Sequence, residues 1–386
     1  MMNISLSDRV AKMPPFHVME VLERAQELER EGRHIIHLEI GEPDFHTASH
    51  ICEAAVLAMS SGNTKYTHSQ GIPELREAIV ENYRHRFGVA IDPEQVIVTS
   101  GTSPAMLLLF IALIDPGDEV IMSNPHYACY PNFVRAVGGV SDFIYTDKGS
   151  GFMLQPEQVA VRISKRTKAI LINSPSNPTG QIMPPGILRD LANVAGDVPI
   201  ISDEIYQGLV YENEDHTILE FTDNAFVLNG FSKLYAMTGW RLGYLIAPIR
   251  YIRTLQKIQQ NFFISTNAFV QHAGIAALTG PQEMVAEMVS IYNKRRIYML
   301  KRLREMGFEV EGEPQGAYYI LADARRFSEN SLEMSRRILE DIGVAVTPGI
   351  DFGSGAEGYL RFSYANSLEN IEEGMDRLQT YLAHIK

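Results

Sequence analysis

The sequence predicts an α/β protein. A large domain, with a mostly parallel seven-stranded sheet sandwiched by helices, is joined to a smaller α+β domain. Two observations carry this expectation. Between residues 96 and 246, seven apolar runs of strand length recur, with helical patterns between several of them. Such alternation favours parallel pairing with both sheet faces covered. After about residue 280 the texture changes to a long charged helix, strand-like pieces and an amphipathic end.

The elements follow in order. Val18, Met19, Val21, Leu22, Ala25 and Leu28 share one helical face, and Gly32 supplies a stop signal. A strand over 35–40 leads into the turn-rich Gly41-Glu42-Pro43-Asp44-Phe45. The seven apolar runs are 96–99, 119–122, 143–146, 169–172, 199–202, 226–228 and 242–246. Helices are expected at 104–114, 132–137, 156–163 and 185–194. The last part reads as helix 283–306, strand-like pieces 308–310 and 317–321, helix 331–342, strand 359–364 and helix 368–384. The expected division is 46–280 for the large domain. Residues 1–45 and 281–386 form the small one, with the N-terminal helix returning to join it.

Composition narrows the function. At 386 residues, a prior of roughly 150 per domain gives two or three units. Hydrophobic residues at 45% and charged residues at 21% exclude general disorder. A formal net charge of −13 disfavours nucleic acid as the main partner, because an acidic surface repels phosphate backbones. A local cationic pocket for an anionic small molecule stays compatible. The two cysteines, Cys52 and Cys129, make neither a disulfide framework nor a metal-ligand spacing, and they fit a reducing cytosol. Residues 1–13 carry no secretory-type apolar run, and stretches such as 105–114 are too short to span a bilayer. The expectation is a soluble, cytoplasmic protein without membrane contact. The 11 histidines show no metal-type cluster.

Common motifs are absent: no G-x-x-x-x-G-K-[ST], no G-x-G-x-x-G opening a helix, no H-E-x-x-H and no G-x-S-x-G. Three strand ends carry chemistry instead. One runs LNGFSKLYAMTGWRLGY from Leu228, with Ser232 before Lys233 and Arg241 in a Gly-bounded turn. The second is Ser202-Asp203-Glu204-Ile205-Tyr206. The third is Asn173-Ser174-Pro175-Ser176-Asn177-Pro178-Thr179-Gly180. Read by themselves, these residues have plain alternatives: a surface lysine, a helix-cap Asp, a turn Asn, an ion-paired Arg, core tyrosines at 127 and 206, and packing for Phe16 and Trp240.

Taken with GEPDF, Tyr66 in YTHSQGIPELREAI, Gly101-Thr102-Ser103, Pro125 to Tyr130 and Arg361 in LRFSYANS, the ordered set resembles the class I/II aminotransferases. These are aspartate aminotransferase-like enzymes of the pyridoxal 5′-phosphate fold type I superfamily. The resemblance covers nearly the whole chain. It implies that Lys233 bonds covalently to the cofactor aldehyde and later moves the substrate α-proton, which requires a neutral amine. It pairs Asp203 with the protonated pyridine nitrogen. Glu204, one residue along a strand, points the other way. Tyr206 and Asn177 would hydrogen-bond the ring oxygen, and Tyr127 would stack on the ring. Gly101, Thr102 and Ser103 at a helix start, with Ser232 and Arg241, would hold the phosphate. Tyr66 would reach it from the neighbouring subunit of a homodimer. Arg361 would fork onto the substrate α-carboxylate, with Asn177 and the Gly41 amide assisting. Phe16 would contact the substrate side chain.

Many relatives carry Ser or Thr where this chain has Gly230, so one phosphate contact is expected to be missing. The implied activity moves an amino group from an L-amino acid to a 2-oxo acid, with 2-oxoglutarate as the acceptor, by a ping-pong route. The same architecture also serves C–S β-lyases, and a non-catalytic regulator is a third reading.

Overall fold

The computed structural model describes residues 7–11 and 13–384. Residues 1–6 and 12, within the 1–13 stretch that lacks a secretory-type run, and residues 385 and 386 of the expected small domain lie outside the described residues. The chain enters through helix His17–Arg30 and a two-residue strand, β1 (Ile36–His37). Seven strands then build one sheet: β2 (Val96–Thr99), β3 (Glu119–Asn124), β4 (Val140–Tyr145), β5 (Thr167–Asn173), β6 (Ile200–Asp203), β7 (Ala225–Gly230) and β8 (Gly243–Ile246). Their spatial order is β2-β8-β7-β6-β5-β3-β4. All neighbours pair in parallel except β8, which runs antiparallel to both β2 and β7. The mostly parallel, helix-covered sheet is the predicted fold.

Side-chain alternation shows why this sheet is buried on both faces. Val98, Ile121, Ile170, Ile200 and Val227 pack on one side with Leu75, Ile79, Leu188 and Ala273. Ile97, Met122, Leu171, Ile201 and Phe226 pack on the other with Leu108, Leu109, Val134 and Leu255. The strands are therefore apolar at consecutive positions, which is what made them legible as continuous runs. Each fully buried side chain of this size contributes about 1.5–3 kcal/mol.

The C-terminal region adds β9 (Tyr319–Asp323), β10 (Val344–Ala345), β11 (Thr347–Pro348) and β12 (Tyr359–Ser363). The last two and β9 form an antiparallel sheet in the order β11-β12-β9. β1 pairs in parallel with β10, Ile36 opposite Val344. The N-terminal segment is thus stitched to the far end of the chain.

Helices Glu283–Met306, Ser331–Ile342 and Leu368–His384 fall where the sequence places them. The strand expected over 35–40 shortens to Ile36–His37, because its partner β10 has only two residues. The piece at 308–310 makes only a bridge, Glu309 to Asp323. Helices Ser49–Ser60, Pro73–Phe87, Ile249–Phe262 and Ala268–Thr279 were not foreseen. Among the described residues, no helix is long and apolar enough to cross a membrane, and no group of side chains is arranged to hold a metal ion.

Candidate active site

Parallel strands leave a crevice at their carboxyl ends, where successive loops part. Here the ends of β5 and β6 and the loop after β7 open into a cavity of about 370 Å³. The start of helix Thr102–Leu113, the N-terminal segment and β12 complete its walls. Twelve of the expected site residues line it: Phe16, Gly41, Thr102, Ser103, Tyr127, Asn177, Asp203, Tyr206, Ser232, Lys233, Arg241 and Arg361. Gly101 lies one residue outside, at the cap of helix Thr102–Leu113. Tyr66 is not brought to this cavity; it is 81% exposed on the surface.

Lys233 follows β7 and the buried Ser232. Its Nζ donates to the Gly41 carbonyl at 2.6 Å and lies 5.8 Å from the centre of the Tyr206 ring. Burial pushes its pKa down to about 8. Glu42 and Asp203 pull against that shift, while Arg361 and Arg241 add to it. The amine is therefore much closer to neutral at physiological pH than a surface lysine.

Asp203 ends β6 on the face it shares with Ile201. It accepts from Tyr130 Oη at 2.7 Å and from the Ile205 N–H at 3.2 Å. Burial raises its pKa to about 6. Glu204 turns to the opposite face, as its position along the strand requires. It accepts there from Ser202, Gln207, Thr217 and the Ile218 N–H, at 2.9–3.0 Å. It does not line the cavity.

One end of the cavity is cationic and rich in donors. The first-turn N–H groups of helix Thr102–Leu113 are unbonded within the helix, and its dipole points positive there. Gly101 caps that helix at φ 99°, and a Cβ there would sit 2.7 Å from Arg241 Nη2, so only glycine allows the guanidinium to lie against the turn. Arg241 itself has φ 55° and donates to the Thr238 carbonyl at 3.0 Å. Gly230 has a different reason to be small: a Cβ would lie 2.9 Å from the Gly243 Cα and the Leu242 carbonyl. The β7–β8 pair leaves no room for the hydroxyl side chain the resemblance would place there.

The other end is built by the C-terminal region. Arg361 on β12 is 3% exposed. It donates to Asn177 Oδ1 at 2.9 Å, to Thr347 Oγ1 at 3.0 Å and to the Glu39 carbonyl. Its Nε–H is buried without a partner. The guanidinium lies over the Tyr319 ring at 4.2 Å and the Phe352 ring at 4.9 Å. Because Asn177 Oδ1 accepts from arginine, its amide NH₂ is left as a donor. Tyr206 and Tyr319 share a hydroxyl–hydroxyl bond of 2.8 Å, and burial holds the Tyr206 phenol well above its ordinary pKa. Tyr127 stands edge-on to Phe16 and to Tyr130, with centroids at 6.2 and 5.3 Å.

Some contributors were not foreseen. Tyr130 and Tyr319 partner Asp203 and Tyr206, yet among 17 tyrosines nothing in the pattern separates them from core aromatics. Glu42, which accepts from Thr238 Oγ1, lines the cavity, and its place in a turn-rich stretch does not single it out in the sequence. Gly41 was expected to offer its amide. Its carbonyl is engaged, by Lys233 and by Tyr318 Oη at 2.8 Å. Trp240 packs against the core and donates to Thr47 at 3.0 Å.

The chain is similar to known proteins along nearly its whole length. The (5-formylfuran-3-yl)methyl phosphate transaminase of Methanocaldococcus jannaschii is 42% identical over 383 residues, covering 98% of this chain and 99% of its own. The aspartate/prephenate aminotransferase of Thermus thermophilus is 40% identical, covering 98% of each chain. The solved structure of Thermus thermophilus aspartate aminotransferase with maleate superposes with a TM-score of 0.93 at 40% identity, covering 98% of this chain and 99% of that one. The sequence model of the family "Aminotransferase class I and II" matches residues 33–378. With the sheet order and the residues gathered at its strand ends, this places the chain in the class I and II aminotransferases, as a transferase of amino groups.

Proposed function

We propose that the protein is a pyridoxal 5′-phosphate-dependent aminotransferase that moves the amino group of an L-amino acid to a 2-oxo acid, with 2-oxoglutarate as acceptor, by a ping-pong mechanism. Its family is generally dependent on that cofactor. The observation that carries the reading is a part-buried lysine, its amine pushed down to a pKa of about 8, facing one cavity with a buried carboxylate at one side and a buried arginine at the other.

The residues fit such a group. The donor-rich turn at Gly101, Thr102 and Ser103, with Ser232 and Arg241, suits a phosphate. Asp203 is buried with two neutral donors and a raised pKa, so a cationic ring nitrogen would supply the partner it lacks. When bound, the cofactor supplies an aldehyde that takes up the amino group and a ring that accommodates the electron pair left at the substrate α-carbon.

This chain's residues do the rest. Lys233 would hold the aldehyde and would carry the substrate α-proton as a general base. Asp203 keeps the ring nitrogen protonated. Tyr206 and Asn177 would donate to the ring oxygen, and Tyr127 would lie against the ring. Arg361, with the Asn177 amide and the Gly41 backbone, fixes the α-carboxylate, and Phe16 meets the substrate side chain. Tyr66 acts on the phosphate of a second copy in a homodimer. Its exposure suits this, as do the exposed apolar Val56, Leu57 and Met59 on the preceding helix. The reading includes a cytoplasmic location. It also divides the chain into a large cofactor-binding domain, 46–280, and a small domain from 1–45 and 281–386, a division the β1–β10 pairing supports.

The test is initial-rate kinetics with an amino-acid panel and 2-oxoglutarate. Parallel double-reciprocal lines, with oxo acid formed in step with glutamate, are expected. Intersecting lines would remove the ping-pong route. Pyruvate and ammonia released from a cysteine conjugate without acceptor would favour the lyase.

A further inference from the structure

We propose that Tyr319 is a positioning residue with two separate tasks: its hydroxyl donates to Tyr206 and so aims the Tyr206 proton into the cavity, and its ring face holds the Arg361 guanidinium in place. This rests on the aminotransferase reading above and deepens it. Tyr319 opens β9 and is 1% exposed. The register of β9 on β12 sets Leu321 opposite Arg361 and Tyr319 opposite Ser363. Tyr319 and Leu321 share a face of the strand, so Tyr319 and Arg361 are diagonal neighbours on it. That register brings the guanidinium to 4.2 Å from the centre of the Tyr319 ring.

The Tyr319 hydroxyl meets Tyr206 Oη at 2.8 Å, and the two rings stand edge to face with centroids 5.7 Å apart. It lies against Gly41, where a Cβ would sit 1.9 Å from Tyr319 Oη. All of these contacts are made within one chain. A bond between two hydroxyls uses one proton and leaves the other free. Which proton is which follows from the surroundings. Burial raises both phenols, but the Arg361 charge against its ring restrains Tyr319, and Tyr206 is the one held well above its ordinary value. The more acidic phenol is the better donor and the less acidic one the better acceptor. The proposed function asks the same of Tyr206. It has a single proton to give to the ring oxygen, so its bond to Tyr319 survives only with Tyr319 as the donor. A hydroxyl that accepts one hydrogen bond is polarised and donates the next more strongly.

The test is a double-mutant cycle on the cofactor-loaded protein, followed by its visible absorbance as pH is varied. A donor to the ring oxygen favours the anionic oxygen and so lowers the pH midpoint of that absorbance. Tyr319→Phe keeps the ring and removes the hydroxyl. It should raise the midpoint by about 0.3–1 unit, about two- to tenfold in proton affinity, while KM for 2-oxoglutarate stays within about twofold. In a Tyr206→Phe background the same change should move the midpoint no further, because its effect passes through Tyr206. Tyr319→Leu or Tyr319→Met removes the ring as well and should raise that KM by about three- to thirtyfold. A band that does not titrate, a midpoint unmoved by Tyr319→Phe, or one moved as far without Tyr206 would overturn the hydroxyl's task. A KM no higher in the Leu and Met variants than in the Phe variant would overturn the ring's. Wild-type protein that gains no visible band with pyridoxal 5′-phosphate would defeat the aminotransferase reading itself.

Discussion

Asp203 and Glu204 are neighbours in sequence, both buried, yet the two faces of the sheet treat them in opposite ways. Glu204 faces a closed interior. Four donors surround it, and Gln207 continues the chain of bonds to Asn229 and on to Tyr83. Asp203 faces the cavity with two donors and a free approach from the side of Lys233. Burial raises both, to about 6 for Asp203 and about 7 for Glu204, so a perturbed pKa does not tell them apart. Unspent acceptor capacity facing a cavity does. A saturated buried carboxylate holds a fold together, while an under-coordinated one beside an open space waits for a ligand.

The largest effect expected is at the amine that shares the cavity with Asp203. Lys233→Ala should lower kcat by about 10⁴-fold or more, with the cofactor still held noncovalently. Near-normal turnover by that variant would remove the lysine from the chemistry. The pair itself comes next. Asp203→Asn should cut kcat/KM by about 10²–10³-fold with little change in melting temperature. Glu204→Ala should do the reverse: turnover per folded molecule close to wild type, but about 1–3 kcal/mol of stability lost as its donors go unpaired. If Glu204→Ala were the variant that lost activity without losing stability, the comparison would be inverted. Arg361→Lys, which keeps the charge but not the fork, should raise the donor KM by about ten- to a hundredfold.

How far this contrast was readable from sequence depends on the link involved. Strand alternation alone put Asp203 and Glu204 on opposite faces. The strands were readable because both faces of the sheet are apolar, helix 331–342 because its charged and apolar residues separate cleanly, and helix 283–306 because it is a long charged run. Helix Ala268–Thr279 is apolar on most sides and shows no such period. Strands Val344–Ala345 and Thr347–Pro348 are too short to have one. Helix Ile249–Phe262 is different: its amphipathic signal was there and went unused. In the site, the residues at strand ends stood out because they break apolar runs. The partners Tyr130 and Tyr319 did not, since a tyrosine that bonds to a carboxylate and one that fills a core look alike in one dimension. Asp351, capping a helix some 330 residues upstream, is a contact that only the fold creates.

A smaller effect sharpens the pair in pH. Both carboxyls hold their proton more tightly folded than unfolded, from ordinary values of 3.8 and 4.5. Each therefore adds stability that is fully present below about pH 4 and is lost as pH rises through about 6 and 7. Glu204→Gln, a permanent stand-in for the neutral acid, should flatten the fall in melting temperature of the cofactor-free protein between about pH 4.5 and 7.5. An unchanged slope would mean that Glu204 is ionised throughout.

The central claim is that the amine at the end of β7 carries the cofactor. Purified protein supplied with pyridoxal 5′-phosphate, reduced with borohydride and digested, should yield one pyridoxyl-modified peptide, with the modification on Lys233. Its formation rate before reduction should rise with pH and level off above about 8, where burial places that amine. A modification on another lysine, or none, would contradict the account at its root.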